Sequence, residues 1–167
     1  MEVTVEAIKA LRSETGAGIM DCKRALAESD GDHDRALQFL SAKGVAAAAK
    51  KASRATNDGL VEAYIHSGGR VGAIIELNCE TDFVARTEDF KALAHDIAMQ
   101  VAAMSPLFVD ADDIPEGEEH DPQQVCLVLQ PFIRDHTRTV QDMLNEAVGK
   151  LGENVRVRRF SRFSLGE

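Results

Sequence analysis

Apolar positions recur at helical spacing up to Leu40, switch to alternation between Val61 and Leu77, and return to helical spacing in two later stretches before a last alternating segment. Val5, Ile8 and Leu11 share one helical face, Thr15-Gly16-Ala17-Gly18 interrupts it, and a second helix carries Ile19, Cys22, Ala25 and Leu26 as far as Ser29-Asp30-Gly31. A third begins near Asp32 with Ala36, Leu37 and Leu40. The run from Gly44 to Ala52 is mostly alanine: helix propensity is high and side chains for packing are few, which predicts a semi-rigid helical connector whose lysines are solvated.

From Asn57 the period is two. Val61, Ala63 and Ile65 alternate with Glu62, Tyr64 and His66; Ser67-Gly68-Gly69-Arg70 supplies a hairpin turn, and Val71, Ala73, Ile75 and Leu77 continue in a second strand. A helix is expected from about Thr87 to Met104, with Phe90, Leu93, Ala94, Ile97, Val101 and Met104 on its apolar face. Between strand and helix stands Asn78-Cys79-Glu80-Thr81-Asp82-Phe83-Val84-Ala85-Arg86. Phe83 belongs to neither pattern: it either folds back onto the core or projects as an anchor for a partner's pocket, and Asp82 either caps the helix or acts outside it.

The tract from Ser105 to Pro122 sets Pro106, Pro115 and Pro122 among Asp110, Asp112, Asp113, Glu116, Glu118, Glu119 and Asp121, and predicts a surface loop or partly disordered crossing. Val140, Met143, Leu144, Ala147, Val148 and Leu151 then form a helical face closed by Gly152. In the final strand, Val155 to Phe163, Phe160 and Phe163 have opposite parity, so the strand is apolar on both faces or bulged near Arg159. The reading is α+β: a three-helix module at 1–43, a connector at 44–56, and at 57–167 a core with a three-stranded antiparallel sheet backed by helices and an acidic loop at 105–122.

Charge narrows the function classes. Residues 57–136 hold four basic and sixteen acidic groups, so the whole acidic excess behind the formal charge of −9 sits in the middle of the chain. An acidic chain is a poor general binder of nucleic acid, and Arg156, Arg158, Arg159 and Arg162 read better as neutralising that middle than as a phosphate-binding strand. No apolar run is long enough to span a membrane, and a start bearing Glu2 and Glu6 is not of signal type; a cytoplasmic protein is expected. Cys22, Cys79 and Cys126 are scattered and read as reduced, buried thiols rather than a disulfide framework.

Catalytic readings fail on geometry. His66 lies near the hairpin turn and Cys79 at the far end of its strand, too distant for proton transfer. The five histidines have no metal-ligand spacing, and the stretch from Gly44 to Lys51 lacks the glycines and the hydroxyl residue of a phosphate loop. No catalytic residue, metal or cofactor is expected, and the chain does not read as an enzyme.

Leu11-Arg12, Thr15-Gly16-Ala17-Gly18, Met20-Asp21-Cys22-Lys23 and Ala25-Leu26 together resemble the N-terminal signature of the elongation factor Ts family, the nucleotide exchange factors of elongation factor Tu. Asn78 to Arg86 resembles its second signature, and Gly152 to Phe160 its closing strand, most closely in the short bacterial form. The resemblance implies that the first helices are a ubiquitin-associated-like module meeting the G domain of elongation factor Tu through Arg12, Ile19, Met20 and Lys23. It implies that Asp82 and Phe83, flanked by Thr81 and Val84, wedge between helices of that domain, displace Mg²⁺ and loosen the phosphate-binding loop. A single copy of the strand-helix core goes in this family with homodimerisation. One departure is plain: family members usually carry a longer, partly helical insertion where only residues 116–129 separate Pro115 from Gln130-Pro131-Phe132. The alternative class is a non-catalytic protein-interaction or RNA-binding module.

Overall fold

The structure, a computed structural model, describes residues 3–167; Glu2 lies outside them. The chain divides into two compact units, one formed by the residues up to Ser53 with Asn145–Gly152, the other by Arg54–Leu144 with Glu153–Glu167.

In the first unit, α1 (Val5–Thr15), α2 (Ile19–Glu28) and α3 (His33–Lys51) enclose Leu11, Cys22, Ala25, Leu26 and Ala36. Each boundary has a local cause. Thr4 caps α1 by accepting from the Ala7 amide at 3.2 Å, Gly16 ends it at φ +65°, and Asp32 caps α3 by accepting from Arg35 N–H at 2.9 Å. No break separates the third helix from the alanine run: α3 continues through it to Lys51. The small residues there have a packing role. A Cβ on Gly44 would sit 3.1 Å from the Asn145 carbonyl oxygen, and one on Gly149 would sit 3.4 Å from the Gly44 Cα, so the second half of α7 (Val140–Leu151) crosses α3 backbone against backbone.

In the second unit, β1 (Asp58–Ile65), β2 (Val71–Cys79) and β5 (Arg156–Ser164) form an antiparallel sheet in the order β1-β2-β5. The helix α5 (Glu88–Met104) lies against all three strands. Thr87 caps it, and Phe90, Leu93, Ala94, Ile97 and Val101 are buried. Strand register decides which residues face α5. Leu60 pairs with Leu77, Glu62 with Ile75 and Tyr64 with Ala73, which puts Glu62 and Tyr64 on the helix side, where Glu62 meets His95 at 3.1 Å and the Tyr64 and His95 rings stack edge to face. The apolar set of β1 therefore faces away from α5: Val61 and Ile65 are 67% and 66% exposed. β5 bulges where Glu76 pairs with Arg159 but Leu77 with Val157, which brings Val157 and Phe160 to one face, and the two aromatics beyond the bulge lie on opposite faces. Phe160 is half-buried opposite Ile75, and Phe163 stands 72% exposed opposite Gly72.

Alternation did not disclose the short antiparallel pair β3 (Pro131–Phe132) and β4 (Asp135–Thr139), which is too brief to show a period. It is held to α5 by buried Gln100, whose amide nitrogen donates to Gln130 Oε1 at 3.2 Å and the Pro131 carbonyl at 3.1 Å while its oxygen accepts from Ile133 N–H at 2.9 Å. The acidic tract carries short elements of its own. Its carboxylates serve as caps: Asp110 and Asp113 form a reciprocal capping box on a 3₁₀ turn, Asp121 caps the single-turn α6 (Pro122–Val125), and a bridge from Phe108 to Cys126 closes the loop.

Two outcomes follow from this packing. Gly59 lies at φ +147°, where an added Cβ would overlap the Leu77 carbonyl, so Gly59→Ala should lower the unfolding free energy by about 2 kcal/mol or more in urea titration. Burial, followed by the charge of Glu153, pushes the Cys79 thiol from 9.0 up to about 11. The folded chain thus favours the protonated thiol, and the stability this confers is intact below pH 9.0 and lost as pH rises through about 11. Iodoacetamide at about pH 8 should leave Cys22, Cys79 and Cys126 unlabelled in the native chain and alkylate all three in urea, as read by mass spectrometry.

Candidate functional site

β2 ends at Cys79, and Glu80 and Thr81 lead into α4 (Asp82–Ala85), a single helical turn. Ala85 is buried and Val84 half-buried, while Phe83 points outward, 78% exposed. Asp82 forms an i,i+4 ion pair with Arg86 at 2.7 Å. Phe83 therefore does not fold back onto the core, which is filled without it.

A lone helical turn has no intrinsic stability, so its direction must come from outside. Glu153 Oε2 accepts from the amides of Glu80 and Thr81, both at 3.0 Å, and Oε1 accepts from the Thr81 hydroxyl at 2.6 Å. In return Glu80 Oε1 accepts from Asn154 N–H at 2.7 Å and pairs with Arg54 at 3.4 Å. The Cys79 thiol donates to the Thr81 carbonyl at 3.1 Å, and on the far side the Thr87 hydroxyl donates to the Val84 carbonyl at 2.8 Å. Sequence reasoning missed this bracing because its partners lie some seventy residues apart. The visible signal was a carboxylate immediately after the glycine that closes α7, and nothing local indicated where it would reach.

The other expected residues lie on the helical unit. Arg12 is in the last turn of α1, Ile19 and Met20 open α2, and Lys23 follows one turn later; all four are exposed, Met20 at 72%. The loop ahead of α2 is fixed by Thr15, which donates to the Leu11 carbonyl at 2.7 Å and accepts from Ala17 N–H at 3.2 Å. Asp21, between Met20 and Lys23, is ion-paired with Lys43.

The other candidate chemistry is not assembled. Cys79 pairs with Asp58 at the end of the hairpin opposite His66. Among the described residues no three His, Cys, Asp or Glu side chains are placed to hold a metal ion, and no helix is long and apolar enough to cross a membrane. The β5 arginines are engaged within the chain: Arg159 Nε meets Glu76 at 2.7 Å, Arg162 donates to the Ala102 carbonyl at 3.0 Å and Arg156 to the Thr56 hydroxyl at 2.9 Å. Hydrogen bonds from Asn78 and Arg159 hold the Glu76 carboxyl below the usual carboxylate range.

Comparison with known proteins gives this geometry a lineage. Residues 44–121 match the family model described as elongation factor TS. Elongation factor Ts of Moorella thermoacetica is 48% identical over 96% of this chain and 94% of its own length, and that of Heliobacterium modesticaldum 48% identical over 99% and 91%. The longer protein of Thermosynechococcus vestitus is 47% identical over 99% of this chain and 66% of its own length. The first of these alignments spans 190 positions against 167 residues here, so that relative carries segments this chain lacks. With a relative this similar matched over nearly its whole length, the chain belongs to the elongation factor Ts family.

Proposed function

We propose that the chain is a guanine nucleotide exchange factor for elongation factor Tu in translation elongation, acting in the cytoplasm without a cofactor of its own. The observation that carries this reading is Phe83, a large apolar side chain held outward on a braced turn. Burying such a side chain in a partner releases about 1.5–3 kcal/mol, which is available only if the partner opens a pocket for it.

The energetics require no bond to be made or broken by this chain. Linkage demands that a factor weakening GDP binding is weakened equally by GDP, so it must bind the nucleotide-free partner best. Phe83, with Asp82, Thr81 and Val84, supplies that preference by entering between helices of the G domain. Loss of the partner's Mg²⁺ removes the charge that compensates the nucleotide phosphates, and release follows. Arg12, Ile19, Met20 and Lys23 of the module at 1–43 dock on the same domain whether or not nucleotide is bound, while the connector at 44–56 joins that module to the core at 57–167.

A second copy of the chain is the proposed occupant of the sheet face opposite α5. Val61, Ile65, Ile74, Phe163 and Leu165 are all exposed there or at its edge. Two such faces stacked about a two-fold axis make a sandwich of ordinary spacing, about 10 Å.

Release of a fluorescent GDP analogue from elongation factor Tu tests the exchange reading: the parent chain should accelerate it and Phe83→Ala should lose at least about tenfold of that acceleration. Binding without acceleration rejects the reading. Light scattering should give twice the chain mass at micromolar concentration, reverting to a single chain on Ile74→Asp with Phe163→Ser; a monomeric parent rejects the dimer.

A further inference from the structure

Thr81 stands at the N-cap of α4, with extended φ −131° and ψ 154°, yet its side chain makes no capping hydrogen bond. Its hydroxyl is turned to Glu153 instead, at 2.6 Å, and the two preceding backbone donors of the same corner converge on the other oxygen of that carboxylate. An N-cap threonine ordinarily accepts from an amide inside its own helix. Glu153 therefore sets the rotamer of Thr81 and fixes two successive peptide planes at the point where the chain leaves β2. The turn that follows is a single one, closed by Ala85 N–H to Thr81, Arg86 N–H to Asp82 and Thr87 N–H to Val84, at 3.3, 3.1 and 3.0 Å. These bonds and the Asp82–Arg86 ion pair hold the turn's shape, but the direction in which it carries Phe83 is inherited from the peptide planes ahead of it.

Resting on the exchange reading, we propose that Glu153 is a positioning residue for nucleotide exchange, holding Phe83 in the direction from which it enters the partner. It touches neither partner nor nucleotide. Its effect is preorganisation: a wedge already ordered pays less conformational entropy when it inserts. Because the helical module is untouched, a loss of preorganisation falls on the interaction made only as nucleotide leaves, and so on the maximal release rate rather than on the concentration for half-saturation.

Chemistry separates the conservative variant from the deletion. In Glu153→Gln the amide oxygen can still accept both N–H groups while its nitrogen donates to the Thr81 hydroxyl, which reverses its role. In Glu153→Ala all three donors lose their acceptor, and Thr81 is released to cap α4 in the ordinary way.

The experiment is release of the fluorescent GDP analogue from elongation factor Tu at varied concentrations of the full chain, with Glu153→Ala and Glu153→Gln each made alone and in the Phe83→Ala background. Glu153→Ala should lower the maximal rate about tenfold or more with half-saturation moved less than about threefold, Glu153→Gln should restore most of the rate, and in the Phe83→Ala background Glu153→Ala should cost less than about twofold. Equal losses in both backgrounds mean that Glu153 acts only on general stability, and a Glu153→Ala chain as fast as the parent means that it does not position the wedge; either overturns the proposal. If Glu153→Ala does not fold, as read by circular dichroism, Glu153→Asp, whose carboxylate is one methylene too short to reach all three donors, is subject to the same comparison of backgrounds. A parent that fails to accelerate release, or a Phe83→Ala chain that exchanges normally, overturns the exchange reading and this inference with it. A parent that depends on Phe83 but not on Glu153 overturns this inference alone.

Discussion

β2 is hydrogen-bonded along both edges, and the placement of the larger unit's functional groups depends on that double pairing. Its inward residues Ala73, Ile75 and Leu77 are buried under α5, its register with β1 sends Val61 and Ile65 outward, and its register with β5 brings the segment at Glu153 and Asn154 beside the strand's own exit at Glu80. A one-residue slip in either register would invert a face of the sheet. The bulge at Arg158 absorbs one such mismatch and leaves Phe160 inward and Phe163 outward.

How much of this was readable in the sequence depends on the range of the interaction concerned. Helices with a local cap and a clear period, such as α5 with Thr87 ahead of it, were legible almost to the residue, as was the hairpin turn at Gly68-Gly69. The sheet faces were not. Alternation in β1 is real, but which set turns toward α5 is decided by pairing with β2, and Glu62 and Tyr64 are accommodated there by His95, thirty residues away. The pair β3 and β4 was invisible because its order comes from Gln100 and Gln130, buried polar groups that a hydrophobic pattern does not record. At the candidate site, the oddity of Phe83 could be seen locally, but its outward direction could not, because it depends on a carboxylate far along the chain.

The molecule leaves apolar surface uncovered in places with different physical support. Phe83 projects from a turn whose backbone groups are tied by carboxylate, thiol and hydroxyl, so its exposure is a property of a stiff element. Ile19 and Met20 open a helix whose other face is filled by Cys22, Ala25 and Leu26. Val61, Ile65 and Phe163 stand on a continuous sheet surface and share their exposure among neighbours. Scattered apolar residues are common on protein surfaces; groups presented on rigid supports are a different matter, since their hydration cannot be relieved by local collapse.

The helical unit is assembled from two stretches far apart in the chain, the residues up to Ser53 and Asn145–Gly152. A ribosome delivers the first long before the second, so during synthesis α1 to α3 must wait with Gly44 uncovered until α7 has emerged. The third strand of the sheet comes later still, since β5 follows α7 in the chain. The helical unit is thus completed only after most of the larger unit has been made, and a chain stopped between Ser53 and Asn145 would leave α1 to α3 without the segment that covers Gly44.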